Sequence, residues 1–275
     1  MKAAKRIYVG LVFVFLYAPI IILMLYSFND SRSRGKWGGF TLKWYGELFS
    51  DAETMAALET TLLIALLSAV IATVVGTITA FGMYYMKKKP RAILSGISYL
   101  PVMNPDIVTG ISMLLFFVFA GNLLGTGGRS FFTILIAHVT FCLPYVILSV
   151  TPKLRQMNKF LTEAALDLGC TPIVAFFRVE LPSILPGVFS GMVMAFTLSL
   201  DDFVISNFTS GQGFQTLPVY IYNMIKKRVT PDVYALYTLI FLAILALLLL
   251  SNFIQARSEE KNDPHSKRNR HSVAR

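Results

Sequence analysis

Long, nearly uncharged apolar runs decide most of what this chain can fold into. Ile7 to Phe28, Thr60 to Met86, Ile107 to Ala120, Ser130 to Val150, Ile184 to Ile205 and Tyr234 to Gln255 are stretches of this kind. About 20 helical residues cross the hydrocarbon core of a bilayer. Within that core every backbone N–H and C=O must find a partner in the protein, which leaves helices and closed barrels. A barrel would show short segments of alternating polarity, and these runs do not alternate. Charged residues make up 15% of the chain, against about 25% in soluble domains. The fold class read from the sequence is therefore an all-α polytopic membrane protein. Its six transmembrane helices are expected near residues 7–28, 60–86, 105–121, 130–150, 184–205 and 234–255.

Local chemistry refines the boundaries. Lys2, Lys5 and Arg6 precede the first run as in a signal peptide. The run is longer than a signal core and no small-residue cleavage pattern follows, so it reads as the first span. Pro101 and Pro105 disturb a helix where they fall, which starts the third span near Pro105; Pro144 kinks the fourth. The stretch 257–275 is polar and basic and reads as a disordered cytosolic tail.

The net charge of +10 does not call for nucleic acid. With the N-terminus inside, seventeen of the twenty-five basic residues fall in inside segments, from Lys87-Lys88-Lys89 to the tail, which is the asymmetry that orients membrane proteins. Both termini are then cytosolic. Cys142 and Cys170 have no metal-ligand company and the histidines are scattered, so no metal or convergent catalytic cluster is indicated. No phosphate-binding G-x-x-x-x-G-K-[ST] loop occurs, and an inverted repeat of the kind seen in secondary transporters is not visible. On the outside, GFTLKWYGELFSD reads as an interfacial helix with Trp44, Tyr45, Leu48 and Phe49 on one apolar side, the aromatics either headgroup anchors or a docking surface for an external partner. LPVYIYNMIKKR is a second amphipathic helix.

One inside segment does not fit a simple connection. EAALDLGCTPIVAFFRVELP, Glu163 to Pro182, joins the fourth and fifth runs. Leu161, Ala165 and Leu168 form a narrow helical stripe. Gly169 stands where a helix ends in a left-handed residue, and Thr171-Pro172 reads as an N-cap with proline at the first helical position. The expectation is helix, tight turn, helix across 151–183, the second helix running from Pro172 to about Val179 and ending before Pro182. Such a helix pair either lies on the membrane or is offered to a groove on a cytosolic partner.

Glu163-Ala164-Ala165, then Gly169 four residues on, then Val179-x-Leu181-Pro182 after nine more resembles the signature loop of permease subunits of bacterial ABC importers. Val179 stands where isoleucine is common. Ser27-Phe28-Asn29, NPDIVTGIS, HVTFCLPYV and FTLSLDDFVISNF extend the resemblance over almost the whole chain, to the C-type permease of the spermidine/putrescine importers. It implies a type I importer permease over residues 1–256 in a bacterial plasma membrane. Glu163, Ala164, Ala165, Asp167, Gly169, Val179, Leu181 and Pro182 would form the coupling segment. It also implies a second homologous permease, two ATP-binding subunits that hold ATP and Mg, and an external solute-binding protein, with no cofactor and no catalysis in this chain itself. Permeases for phosphonate, thiamine or iron are the nearest alternatives, and a self-sufficient secondary transporter is a further one.

A charge at the centre of a span costs about 2.5–3.5 kcal/mol, so intramembrane acids mark pathways or partners. Ser199, Asp202, Ser206 and Thr209 are spaced 3, 4 and 3, which places Asp202 on a continuous polar stripe. Asp202 is favoured for the pathway and Asp201 is kept for pairing with a basic residue; the alternative is that these acids sit near span ends as caps or ion pairs. A small cationic substrate such as a polyamine needs carboxylates and aromatic faces, which Asp202, Asp201 and Phe203 offer. Asp106, after Pro105, is either a third pathway acid or a first-turn carboxylate favoured by the helix dipole. His138 reads as a packed, hydrogen-bonded residue.

Overall fold

The computed structural model of the chain describes residues 2–31, 36–125, 129–211, 213–227 and 231–262. Among these residues the regular structure is helical, and one isolated antiparallel bridge joins Asn29 and Phe40. The helices are α1 Lys2–Tyr26, α2 Lys43–Ser50, α3 Ala52–Tyr85, α4 Lys88–Met103, α5 Asp106–Leu124, α6 Phe131–Gln156, α7 Lys159–Asp167, α8 Pro172–Ala175, α9 Leu181–Asp201, α10 Val204–Thr209, α11 Leu217–Lys227 and α12 Pro231–Asn262. Among the described residues, five helical stretches are long and apolar enough to cross a membrane: Lys5–Tyr26, Ala52–Tyr85, Asp106–Leu123, Phe131–Gln156 and Pro172–Asp201. Val233–Ala246 is a shorter apolar helix. Most of the tail expected to be disordered lies beyond Asn262, outside the described residues, while α12 itself runs past the expected end of its span at Gln255.

The chain divides into two compact units. The first comprises residues up to Leu58 and Leu217–Leu247. In α1 the apolar side chains Leu11, Phe15 and Ile22 stay exposed, as a lipid-facing surface requires. The loop after α1 is organised by the buried Asn29, whose amide donates to the Lys36 carbonyl at 2.9 Å and accepts from the Gly38 N–H at 2.7 Å. Trp44 of α2 is packed inside this unit and is not a headgroup anchor: its indole N–H donates to the Asn29 carbonyl at 2.8 Å. Phe49, expected on the same side, is exposed. Leu48 packs with Ala57, Leu217, Ile221, Val233 and Leu236. Asp51 caps α3. Its carboxylate accepts from the Thr54 N–H at 3.1 Å, from the Thr54 hydroxyl, and from Tyr220 Oη at 3.1 Å.

The second unit, Glu59–Thr216 with residues from Leu248, has its core between α6 and α9. Gly187, Gly191, Ala195 and Ser199 recur every four residues along α9 and are all buried. Between membrane helices close backbone approach replaces the hydrophobic effect as the driving force, and small residues permit it. A Cβ on Gly191 would lie 3.3 Å from the Val146 Cα, and one on Gly187 would lie 3.0 Å from the Ser149 carbonyl oxygen. α3 meets α6 in the same way at Gly76, where an added Cβ would come within 2.8 Å of Val146 Cγ1.

Three segments depart from the sequence expectation, each for a proline or a cap. Residues before the third span form a helix, α4, with Pro101 inside its last turns, and the break falls at Asn104-Pro105. The segment 151–183 is less loop than expected, because α6 continues to Gln156. The helix opened by Pro172 does not stop before Pro182. Phe176–Glu180 is a π turn that runs directly into α9, with the Leu181 N–H reaching the Phe176 carbonyl. Proline normally clashes with the carbonyl four residues back; the wider turn just before Pro182 relieves that clash. Finally, the fifth span is not continuous to Ile205. α9 ends at Asp201, Asp202 is extended, and α10 begins at Val204.

Two measurements check this packing. Gly191→Leu overpacks the α6–α9 contact and is expected to destabilise the purified protein by about 1–3 kcal/mol, read as a lower unfolding midpoint in detergent. The Asp51 carboxyl is held below its ordinary value, first by the Thr54 hydroxyl. Its stabilisation is therefore present above the ordinary carboxylate range and is lost as pH falls through the lowered value. Asp51→Asn is expected to flatten that acid limb of the stability profile.

Candidate functional site

A buried polar seam crosses the second unit. His138 on α6 is 1% exposed, and its two ring nitrogens each face a serine: Nδ1 lies 2.6 Å from Ser199 Oγ and Nε2 lies 2.9 Å from Ser206 Oγ. A neutral imidazole carries one proton, so one serine accepts from it and the other donates to it. Ser68 on α3 donates to Ser199 Oγ at 2.9 Å. The seam therefore joins α3, α6, α9 and α10, and every hydroxyl in it has a partner, as low dielectric demands.

Asp202 sits at the break between α9 and α10. Its carboxylate accepts the N–H groups of Ile205 at 3.3 Å and Ser206 at 2.7 Å, and lies 3.6 Å from His138 Nε2. The side chain is 7% exposed, so it acts as the cap that starts α10. Ser199 and Ser206 are buried, Phe203 is half-buried, and Asp201 is exposed. Among the described residues no lysine or arginine pairs with Asp201. Asp106 is exposed in the first turn of α5. The polar stripe inferred from a continuous helix thus survives in a different form: the helix breaks, and His138 gathers Ser199 and Ser206 from its two halves.

The second constellation is the segment after α6. Asn158 caps α7 by accepting from the Phe160 N–H. At its other end Gly169 adopts φ +85°, the Cys170 N–H bonds the Ala165 carbonyl at 3.1 Å, and the Gly169 N–H bonds the Leu166 carbonyl at 2.9 Å. These are the paired bonds of a Schellman turn. Thr171 then caps α8 by accepting from Val174. Glu163, Ala164, Asp167, Gly169 and Pro182 are exposed, while Ala165, Val179 and Leu181 are half-buried. Leu168, Ile173 and Phe177 are 86%, 71% and 60% exposed, an apolar surface open to solvent.

Sequence reasoning passed over the residue that anchors this segment. Glu180 is 2% exposed. Its Oε1 accepts from Tyr85 Oη of α3 at 2.6 Å and from Thr162 Oγ1 of α7 at 3.0 Å. It borders a cavity of about 490 Å³ lined by Phe81, Leu166, Ile173, Phe176 and Phe177 among others. The available signal was a lone carboxylate in the apolar stretch FFRVELP. The signature spacing leaves that position open, so the pattern could not single it out.

His138→Leu strands the Ser206 hydroxyl in a dry environment and leaves Ser199 with Ser68 as its remaining partner. It is expected to cost about 1–3 kcal/mol per stranded group, measured as loss of thermal stability, whereas Asp201→Asn, an exposed change, is expected to leave stability near wild type.

Comparison with known proteins gives a consistent result. Residues 72–263 match the family described as binding-protein-dependent transport system inner membrane component. The putrescine transport system permease protein PotI of Escherichia coli (strain K12) is 40% identical over 255 residues, covering 90% of this chain and 89% of that protein. The spermidine/putrescine transport system permease protein PotC of the same organism is 38% identical, covering 92% and 93%. A crystal structure of a bacterial ABC transporter involved in the import of the acidic polysaccharide alginate superposes with a TM-score of 0.74 over 93% of this chain and 95% of that one, at 18% identity, which shows a shared fold. The family match, the relatives and the apolar helices agree: this chain belongs to the binding-protein-dependent transport system inner membrane components, the multi-pass permease subunits of ABC importers.

Proposed function

We propose that this chain is one permease subunit of an ATP-driven importer of polyamines, putrescine or spermidine. The observation that carries the substrate class is the identity of 38–40% over nine-tenths of the chain to permeases named for those amines. In this reading six spans place both termini in the bacterial cytosol. A second, homologous permease completes the pathway, and two ATP-binding subunits, which hold ATP and Mg, dock on the coupling segments. An external solute-binding protein delivers the amine. The exposed carboxylates of Asp201 and Asp106 are suited to meet ammonium groups first, and Phe203 offers a ring to the cation and its methylene stem. Asp202, Ser199 and Ser206 hold the helix break open beside them, an arrangement that suits substrate sites in membrane transporters.

The coupling step follows from the local geometry. Closure of the ATPases on ATP moves α7 and its capped turn as one piece, and the spans switch between inward-open and outward-open arrangements, two states whose balance the nucleotide shifts. Glu163, Ala164, Ala165, Asp167 and Gly169 lie on the docking side of this piece, while Val179, Leu181 and Pro182 lie where it enters the span.

The test is uptake of labelled putrescine and spermidine by cells that lack this chain and other amine transporters, restored with wild type or Gly169→Pro. Proline fixes φ near −65° and cannot occupy a residue at +85°. Wild type is expected to restore uptake. The Gly169→Pro chain is expected to reach the membrane and restore about a tenth of it or less, the disrupted turn costing more than the 1.4 kcal/mol that corresponds to tenfold. Absence of amine uptake with wild type removes the substrate assignment; full uptake with Gly169→Pro removes the role given to the turn.

A further inference from the structure

We infer that Glu180 is the joint through which the coupling segment moves the membrane spans, a positioning residue for transport; the inference rests on the permease reading above. Three elements meet on one carboxylate oxygen. Tyr85 is the last residue of α3, Thr162 lies in the middle of α7, and Glu180 closes the π turn that leads into α9. Tyr85 Oη and Thr162 Oγ1 both donate to Glu180 Oε1, at 2.6 and 3.0 Å. The Thr162 bond ties α7 to the π turn, and the Tyr85 bond ties the same carboxylate oxygen to α3.

The placement is costly without a purpose for it. A buried carboxylate is tolerated only when hydrogen bonds replace its hydration. Here they do, but they come from two separate elements, so the acid is satisfied only while α3, α7 and the π turn keep their present arrangement. Apolar packing alone would not do this. The cavity beside Glu180, lined by Phe81, Leu166, Ile173 and Phe176, leaves the rest of the contact between α7 and its surroundings loose. The edge-on contact of Phe81 with Phe176, ring centres 4.7 Å apart, is a link of α3 to the π turn that bypasses α7. A displacement of α7 therefore reaches α3 through Thr162, Glu180 and Tyr85, and reaches α9 through Glu180 directly. The π turn is the pliable element at this point, because it is an i→i+5 turn between two α-helical stretches.

The geometry also ranks substitutions. Gln keeps a carbonyl oxygen that accepts from both hydroxyls. Leu keeps the bulk and removes the acceptor. Tyr85→Phe removes one donor and leaves the ring.

The experiment uses the complete transporter, this chain with its partner subunits and solute-binding protein, in proteoliposomes, and reads amine uptake and ATP hydrolysis together. Glu180→Leu is expected to lower uptake per ATP hydrolysed about tenfold or more, the scale set by loss of a charge-assisted hydrogen bond. Tyr85→Phe is expected to lower it by less, and Glu180→Gln to stay near wild type. A merely structural role would lower uptake and hydrolysis in parallel, and that result overturns the inference, as does an unchanged ratio in Glu180→Leu. Hydrogen exchange over residues 159–167 of the isolated chain is the second readout: Glu180→Leu is expected to exchange faster there than Glu180→Gln, and equal rates overturn the joint itself. A wild-type complex that hydrolyses ATP without moving any amine counts against the amine reading, and the exchange comparison still decides whether the joint exists.

Discussion

The contact that the rest of the second unit depends on is the close passage of α9 along α6. In a bilayer the lipid chains are as apolar as the helix surfaces, so burial against a neighbour gains little. What holds two spans together is the number of atoms that can touch and the polar groups that can be satisfied only by the other helix. The stripe Gly187, Gly191, Ala195, Ser199 brings the backbones together, and His138 closes the end of it with hydrogen bonds to Ser199 and Ser206. Because Ser206 belongs to α10, the imidazole also fixes the short helix beyond the break. Asp202 completes the arrangement by capping that helix. The helix break is thus secured from both sides, by the cap within the segment and by the imidazole across it.

At the other end of α9 a different device serves. The helix begins at Pro172, passes Pro182 without ending, and becomes a span. A π turn absorbs the proline, and the residue that closes the turn is the buried Glu180. The helix therefore stays continuous from Pro172 into the span.

Much of this was legible in the sequence, for identifiable reasons. The spans could be read because hydrocarbon imposes a length and forbids unpaired backbone. The turn at Gly169 and the cap at Thr171 could be read because each depends on a single residue's local chemistry, and both were found where expected. What failed were statements that depend on neighbours. Pro182 looked like a stop, because a π turn leaves no distinct sequence mark. Asp202 was placed on one unbroken polar face, with a cap as the alternative; the break that makes it a cap is not announced by the Ile, Phe and Val around it. Trp44 looked like an interfacial anchor, because its partner is the carbonyl of Asn29, fifteen residues away. Glu180 was invisible for the same reason: its partners, Tyr85 and Thr162, come from two other helices.

The turn at Gly169 bears on docking as well. Its bonds are all local: Asn158 to Phe160, Ala165 to Cys170, Leu166 to Gly169, Thr171 to Val174. No outside contact is needed to close it. In the docking role proposed above, a turn of this kind is pre-organised and meets a partner without first being ordered. The association then loses rigid-body freedom but little internal entropy, and more of the contact energy remains as affinity. The bulky side chains it holds out to solvent, Leu168 and Ile173 among them, are presented on a stiff bracket, and a stiff bracket passes on a push that a slack one would absorb.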